Sequence, residues 1–331
     1  MKALKKAWIF LLLVCLAALF STTALADGAT SGKYGDNLTW SLEDGVLTIS
    51  GTGAMYDYYD GDCPYESSRT TITAVVVKSG VTSIGANAFC DCTSLTTATI
   101  PDTVTSIGDS AFCGCTSLAT ITLPNSLATI DSQTFFGCTN LTSIIFPDGM
   151  TDIGDYAFYG CTALKSVTIP DSVTSIGGYA FYGCTALTGV TVPGSVSAIN
   201  DSVFSDCTSP KTLVLEDGVT RINYSSFSGC KALTDITLSD TLTTIGEYAF
   251  SGCTALKSVT IPDSVITIDY AAFAYCAALA SIMLDTNLTV IGDSAFGGCS
   301  ALKSIVIPEK CNYHRWRCIS VLHDAEQCHV G

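Results

Sequence analysis

Cysteine is the residue type in this chain with the widest choice of chemistry. Seventeen are present, and ten of them recur at a constant step of 23 residues, from Cys92, Cys115 and Cys138 through to Cys299. A thiol can bond a second thiol, bind a metal or attack an electrophile, and each use demands its own geometry. A disulfide needs Cβ atoms that converge to about 3.8 Å. Side chains stacked one repeat apart point in parallel, so the periodic column reads as buried, reduced thiols used for packing. Cys90 and Cys113 differ. They follow Phe89 and Phe112 at an otherwise variable position near the expected surface, where a disulfide between neighbouring repeats can form. Reduced thiols in an exported chain suit an oxygen-poor habitat.

The remaining chemistry is thinner. All three histidines, His314, His323 and His329, lie near the C-terminus with Cys311, Cys318 and Cys328. Their spacing matches no zinc pattern, so no metal is assigned. Residues 1–310 hold no histidine, which removes a histidine-based triad from the body of the chain. Neither a phosphate-cradling glycine loop nor a metalloprotease helix motif occurs. The 30 acidic residues would allow a two-carboxylate glycosidase, but most recur at repeat positions and read as structural. The expectation is no catalysis and no cofactor. Asp217, Asp240 and Asp263 lie on three consecutive repeats; they offer oxygen ligands to calcium, or form a solvated acidic edge.

The elements that position these residues follow from the same step. Phenylalanine recurs from Phe89 to Phe296 and isoleucine from Ile84 to Ile291, each ten times at a spacing of 23 without a slip. A period of this length signals a solenoid. Leu164 to Ile169 alternates apolar and polar residues, the period of a strand. Pro170 cannot donate to a ladder and ends it. Gly177 is replaced in other repeats by Asp131, Asn200, Asn223 and Asp269. Asn and Asp tolerate positive φ best among non-glycine residues, so a left-handed turn is expected there. Tyr179-Ala180-Phe181 suits one helical turn. A single repeat buries too little apolar surface to offset the ordering of its backbone. The units must therefore stack around a shared core. The expected architecture is a leucine-rich-repeat-like, right-handed β-solenoid or horseshoe, with one short strand and one helical turn per 23-residue rung.

The unit I-P-D-S-V-T-S-I-G-x-x-A-F-x-x-C-T-x-L resembles the BspA-type (Treponema pallidum-type) leucine-rich repeat over residues 75–308. Asn37 to Tyr56 is similar to the N-terminal cap that precedes such arrays. The resemblance implies an extracellular or cell-surface protein used in adhesion to host proteins or other cells.

Residues 1–26 read as a signal peptide: Lys2, Lys5 and Lys6, then an apolar run, then Ala24-Leu25-Ala26. The run is too short to span a bilayer, so no membrane span is expected after cleavage. Residues 27–74 read as a β-hairpin cap, with Asp44-Gly45 as a two-residue turn that puts Trp40, Leu42, Leu47 and Ile49 on one face. That apolar face can cover the first rung. Residues 75–308 form the array and residues 309–331 a non-repeat tail. The formal net charge of −15 opposes binding to nucleic acid.

Two surfaces can carry recognition. Thr99, Thr122, Thr168, Thr191, Thr237 and Thr260 should point outward from the strands, with Ile145, Val214, Met283 and Val306 completing the column. Tyr156, Tyr159, Tyr179 and Tyr182 cluster on the turns of two adjacent rungs, and aromatic residues favour interfaces. The expected partner is an extracellular protein or glycan bound by a secreted or surface-held chain. Self-association as a structural element is the alternative. Acidic residues at Asp109, Asp155, Asp201, Glu247 and Asp293 skip alternate rungs, which spaces like charges near the Debye length; duplication of a two-repeat block would give the same pattern.

Overall fold

The computed structural model describes residues 30–59, 62–313 and 328–330. The leader at 1–26 lies outside the described residues, as do His314, His323 and Cys318 of the tail.

The chain winds into a β-solenoid. Strands β1 (Ser31–Lys33), β2 (Leu38–Glu43) and β3 (Val46–Gly51) form an antiparallel sheet at the N-terminal end. Leu42 pairs with Leu47 and Trp40 with Ile49 around the Asp44-Gly45 turn. The hairpin is not a lid over the first rung. Strand β3 pairs in parallel with β4 (Ala74–Val77), Leu47 opposite Val75 and Ile49 opposite Val77. The cap thus lengthens the ladder edge to edge, and its apolar residues start the core. Tyr34 and Tyr65 stack with ring centroids 5.7 Å apart. Tyr65 Oη donates to the Ala88 carbonyl at 2.7 Å, tying the cap to the first rung. A 3-10 helix at Glu66–Thr71 and strand β1 complete the cap; neither is marked by periodicity in the sequence.

Each rung has three sides. The first is the alternating strand, in register at a step of 23: Val190 lies opposite Leu213 and Leu213 opposite Ile236. Between Thr120 and Ser166 this ladder thins to isolated bridges at Thr120, Ser143 and Ser166. The second side is a shorter strand ending at the periodic isoleucine, such as Asp152–Ile153 and Ser175–Ile176, paired Ile153 to Ile176. The third is the turn segment. The expected helical turn is realised there as linked turns, with Ala180 N–H bonded to the Gly177 carbonyl at 3.3 Å and Tyr182 N–H to the Tyr179 carbonyl at 3.1 Å. Left-handed residues at Tyr179 (φ 58°) and Gly183 (φ 68°) interrupt it. The reason lies in the neighbouring rung. Tyr179, Phe181 and Gly183 aim their N–H groups at the carbonyls of Asp201, Val203 and Ser205, each at 2.9 Å. A regular helix would turn those donors inward and leave the rungs unjoined on this side.

Gly177 itself is not left-handed, contrary to expectation; the positive φ falls two residues later, at Tyr179. Glycine serves here for close approach, since a Cβ would stand 2.4 Å from Asp155 N of the preceding rung. Where Asn200 takes the position, its Nδ2 donates to the Ile176 carbonyl at 2.8 Å.

The second left-handed column, one residue before each periodic cysteine, is mostly glycine but holds Tyr275 at φ 59°. Left-handed backbone costs an ordinary residue about 1–2 kcal/mol, while glycine loses about 0.5–1 kcal/mol more entropy on folding. Tyr275→Gly is therefore expected to raise stability by about 0.5–1 kcal/mol. A urea titration checks this; a lower midpoint would contradict it.

The core is one continuous spine. Ten phenylalanine rings from Phe89 to Phe296 are fully buried. Successive centroids lie 5.2–5.8 Å apart, and from Phe112 onward the planes differ by 13° or less. The cysteine column runs beside it. From Cys115 to Cys299 every thiol donates to a phenylalanine carbonyl of the preceding rung at 3.1–3.4 Å. Burial pushes Cys161 and Cys207 up to about 12, and Cys184 and Cys230 well above the usual thiol range. These sulfurs are held neutral and out of reach.

Candidate binding surface

Most polar residues of the repeat serve the stack. Thr105, Thr151, Thr174, Thr220 and Thr243 each donate a hydroxyl to a carbonyl of the preceding rung at 2.9–3.4 Å. The acidic positions are occupied in the same way. Asp217 Oδ1 accepts from Asp240 N–H at 2.9 Å, while the Asp263 carboxyl hydrogen-bonds that of Asp285. Among the described residues, no cluster of three His, Cys, Asp or Glu side chains is placed to hold a metal ion. Asp155 Oδ1 accepts from Gly178 N–H at 2.7 Å and Asp201 Oδ1 from Tyr224 N–H at 3.2 Å. A carboxylate that uses the N–H of its own column on the next rung gives a second reason, beyond charge spacing, for alternate rungs.

The strand-face threonines are different. Thr99, Thr122, Thr168, Thr191, Thr237 and Thr260 are all exposed. Among the described residues, none of their hydroxyls has a hydrogen bond within the protein. They are left for solvent or a partner. Ile145 and Met283 interrupt the column at 81% and 68% exposure, and Val306 is also exposed. Val214 is half-buried, so the column is not uniformly outward.

The turn-side tyrosines form two parallel rows. Tyr156 stacks on Tyr179 at 4.9 Å, and Phe136, Tyr159 and Tyr182 stack at 4.8 Å per step. The rows touch, with 5.9 Å between Tyr156 and Tyr159 and between Tyr179 and Tyr182. The rings are half-buried and present edges and hydroxyls, because their faces cover one another. Tyr182 Oη donates to Asp206 Oδ2 at 2.6 Å, which raises the phenol to about 12 and pins the ring. Sequence reading missed a second group on the same side. Tyr224, Tyr270 and Tyr275 are exposed, and Tyr248 packs edge-on against Tyr224 and Tyr270 at 5.7 and 5.2 Å. Its members occupy three different repeat positions, so no single tyrosine column marks the group in the sequence.

A shallow depression of about 400 Å³ lies on the outer face of the cap sheet, lined by Ser31, Gly32, Lys33, Thr39, Trp40, Ser41, Thr48 and Ser50. It contains no carboxylate pair. Among the described residues, no helix is long and apolar enough to cross a membrane.

Stacked rungs with a phenylalanine spine, a parallel strand face and a cap define a leucine-rich-repeat solenoid. The BspA type leucine rich repeat region matches in six copies over residues 65–153, 136–237 and 220–323, and the chain belongs to that family. It is similar to a leucine-rich repeat protein from Bacteroides ovatus, at 26% identity over 82% of each chain and a TM-score of 0.56. A leucine-rich repeat protein from Eubacterium ventriosum is 30% identical over 86% of this chain and 92% of its own, with a TM-score of 0.52. No curated protein sequence matches.

Proposed function

We infer that the chain is a non-catalytic, adhesin-like scaffold, secreted or held at the cell surface, that binds host or microbial surface macromolecules through the strand face and the tyrosine rows. The observation that carries this reading is the contrast among threonines. Those at the bends spend their hydroxyls on the neighbouring rung, while the strand-face column leaves them unspent. Shallow faces, one of small hydroxyls and one of tyrosine edges, recognise by area, as suits a protein or a glycan. The signal-like leader and the family support export.

The test is capture of matrix proteins and glycans by the immobilised chain. Thr168→Lys with Thr191→Lys, and separately Tyr159→Ser with Tyr182→Ser, should each weaken capture roughly tenfold or more, the loss of a typical interface anchor. The strand-face pair should leave the thermal midpoint within a degree or so, as exposed substitutions do. Undiminished capture by both variants would reject these surfaces.

Self-assembly within a surface layer is the second reading, favoured by the exposed Ile145, Met283 and Val306 on the same face. Sedimentation without ligand separates the two: monomers that capture a partner support the first, and large assemblies support the second.

A further inference from the structure

Cys90 and Cys113 sit on the turn side of the first two rungs, and both are half-exposed. They differ from the column thiols, which turn into the core toward a phenylalanine carbonyl. Cys253, Cys276 and Cys299 also touch one another, but they are buried. Only at Cys90 and Cys113, among the described residues, do two accessible thiols hydrogen-bond each other.

The backbone holds the pair in place. Asp91 N–H donates to the Cys113 carbonyl at 2.7 Å, and Phe89 N–H to the Ala111 carbonyl at 2.8 Å. From the cap, Arg69 Nη1 donates to the Cys90 carbonyl, and Arg69 Nε lies 2.6 Å from Glu66 Oε2. Adjacent rungs stand about 4.8 Å apart, within the Cα separation of about 4.4–6.8 Å that a disulfide accepts. The backbone separation therefore does not bar the bond.

We propose that Cys90 and Cys113 are a reversible disulfide site, a redox-responsive clip between the first and second rungs. The thiol of Cys90 donates toward Cys113 and lowers its pKa, which makes Cys113 the attacking sulfur. The oxidant is a small-molecule disulfide. Cys113 thiolate attacks one of its sulfurs, and the other leaves as a thiolate that takes the proton released by Cys113. Cys90, losing its own proton, then attacks Cys113 Sγ and expels the second small thiolate, which takes that proton. One small disulfide becomes two thiols as one protein dithiol becomes a disulfide. Cys113 directly precedes Phe136 in the column of Phe136, Tyr159 and Tyr182, so the clip stiffens the end of the tyrosine row.

The full chain tests this by native alkylation and peptide mass mapping, before and after incubation with oxidised glutathione. Before oxidation, Cys113 should alkylate at least ~100-fold faster than Cys161 and Cys207, whose thiolate fraction is roughly a thousandfold depressed, and half-exposed Cys90, raised by its hydrogen bond to Cys113, should follow on longer labelling. After oxidation both should leave the labelled pool together and return as one cross-linked peptide pair, released by reductant. Cys90→Ser should leave Cys113 carrying glutathione with no cross-link. A wild-type chain that stops at glutathione on either cysteine, or links Cys90 to Cys63, overturns the proposal. Cys90→Ser with Cys113→Ser, unchanged in thermal midpoint under reducing conditions, separates loss of the clip from loss of fold.

Discussion

Raising the pH from about 8 to about 10 should unfold the array in one steep transition. Ten column thiols from Cys92 to Cys299 are buried and all are raised; burial is the leading cause for seven, and hydrogen bonds among Cys253, Cys276 and Cys299 come first for the other three. An unfolded thiol titrates near about 8.5. The folded values are higher, so the stabilisation from keeping each thiol neutral is complete below about 8.5. It is lost as pH climbs from there toward the folded value. At about pH 10 each thiol has given up roughly 1.5–2 kcal/mol, and ten of them roughly 15–20 kcal/mol. That exceeds the ~5–15 kcal/mol by which most domains are stable. Circular dichroism against pH, in reductant, measures the transition, and its slope counts the protons released. Buried Tyr34 and Tyr65 add to the slope at the upper end, so the decisive comparison is a variant. Replacing Cys138, Cys161, Cys184 and Cys207 by alanine should lower the proton count by about four. An unchanged count would show that the thiols do not drive alkaline unfolding.

Phe181→Ala should cost about 4–5 kcal/mol, and Phe296→Ala nearer about 3 kcal/mol. Phe181 is fully buried between Phe158 at 5.2 Å and Phe204 at 5.3 Å, with planes inclined by only 4° on either side. Phe296 stacks on Phe273 alone among the described rings, at 5.8 Å. The larger loss has a further consequence. In a solenoid each rung is stabilised by its neighbours, so a void at the centre divides the array into two weaker cooperative units. Urea unfolding followed by circular dichroism should show a lower midpoint and a broader transition for Phe181→Ala, but one sharp transition for Phe296→Ala. Equal losses at the two sites, each below about 1 kcal/mol, would contradict a shared spine.

The columns of Phe, Cys and Ile were legible before any coordinates, because identity at constant spacing means equal volume on every rung. The spine, the in-register ladders and the buried thiols follow from that. The outward direction of Thr168 or Thr191 was legible too, from strand alternation against Pro170 and Pro193. Three features were not. Gly177 was read as the left-handed residue, yet a tyrosine two positions later takes that conformation. The short strand of Asp152–Ile153 carries no alternation long enough to mark it. The exposed tyrosines near Tyr270 are scattered over several repeat positions and come together only when the rungs stack.

Periodic composition alone thus set the number of rungs, their shared interior and the family resemblance, because stacking energy depends on which side chain meets its own copy. It could not say which backbone N–H turns toward the next rung, since that depends on where the neighbour's carbonyls lie. For the same reason it left open why Cys115 donates to a carbonyl while Cys90 and Cys113 turn to each other. A thiol's partner is chosen by the few ångströms of space around it, and only the assembled solenoid decides that space.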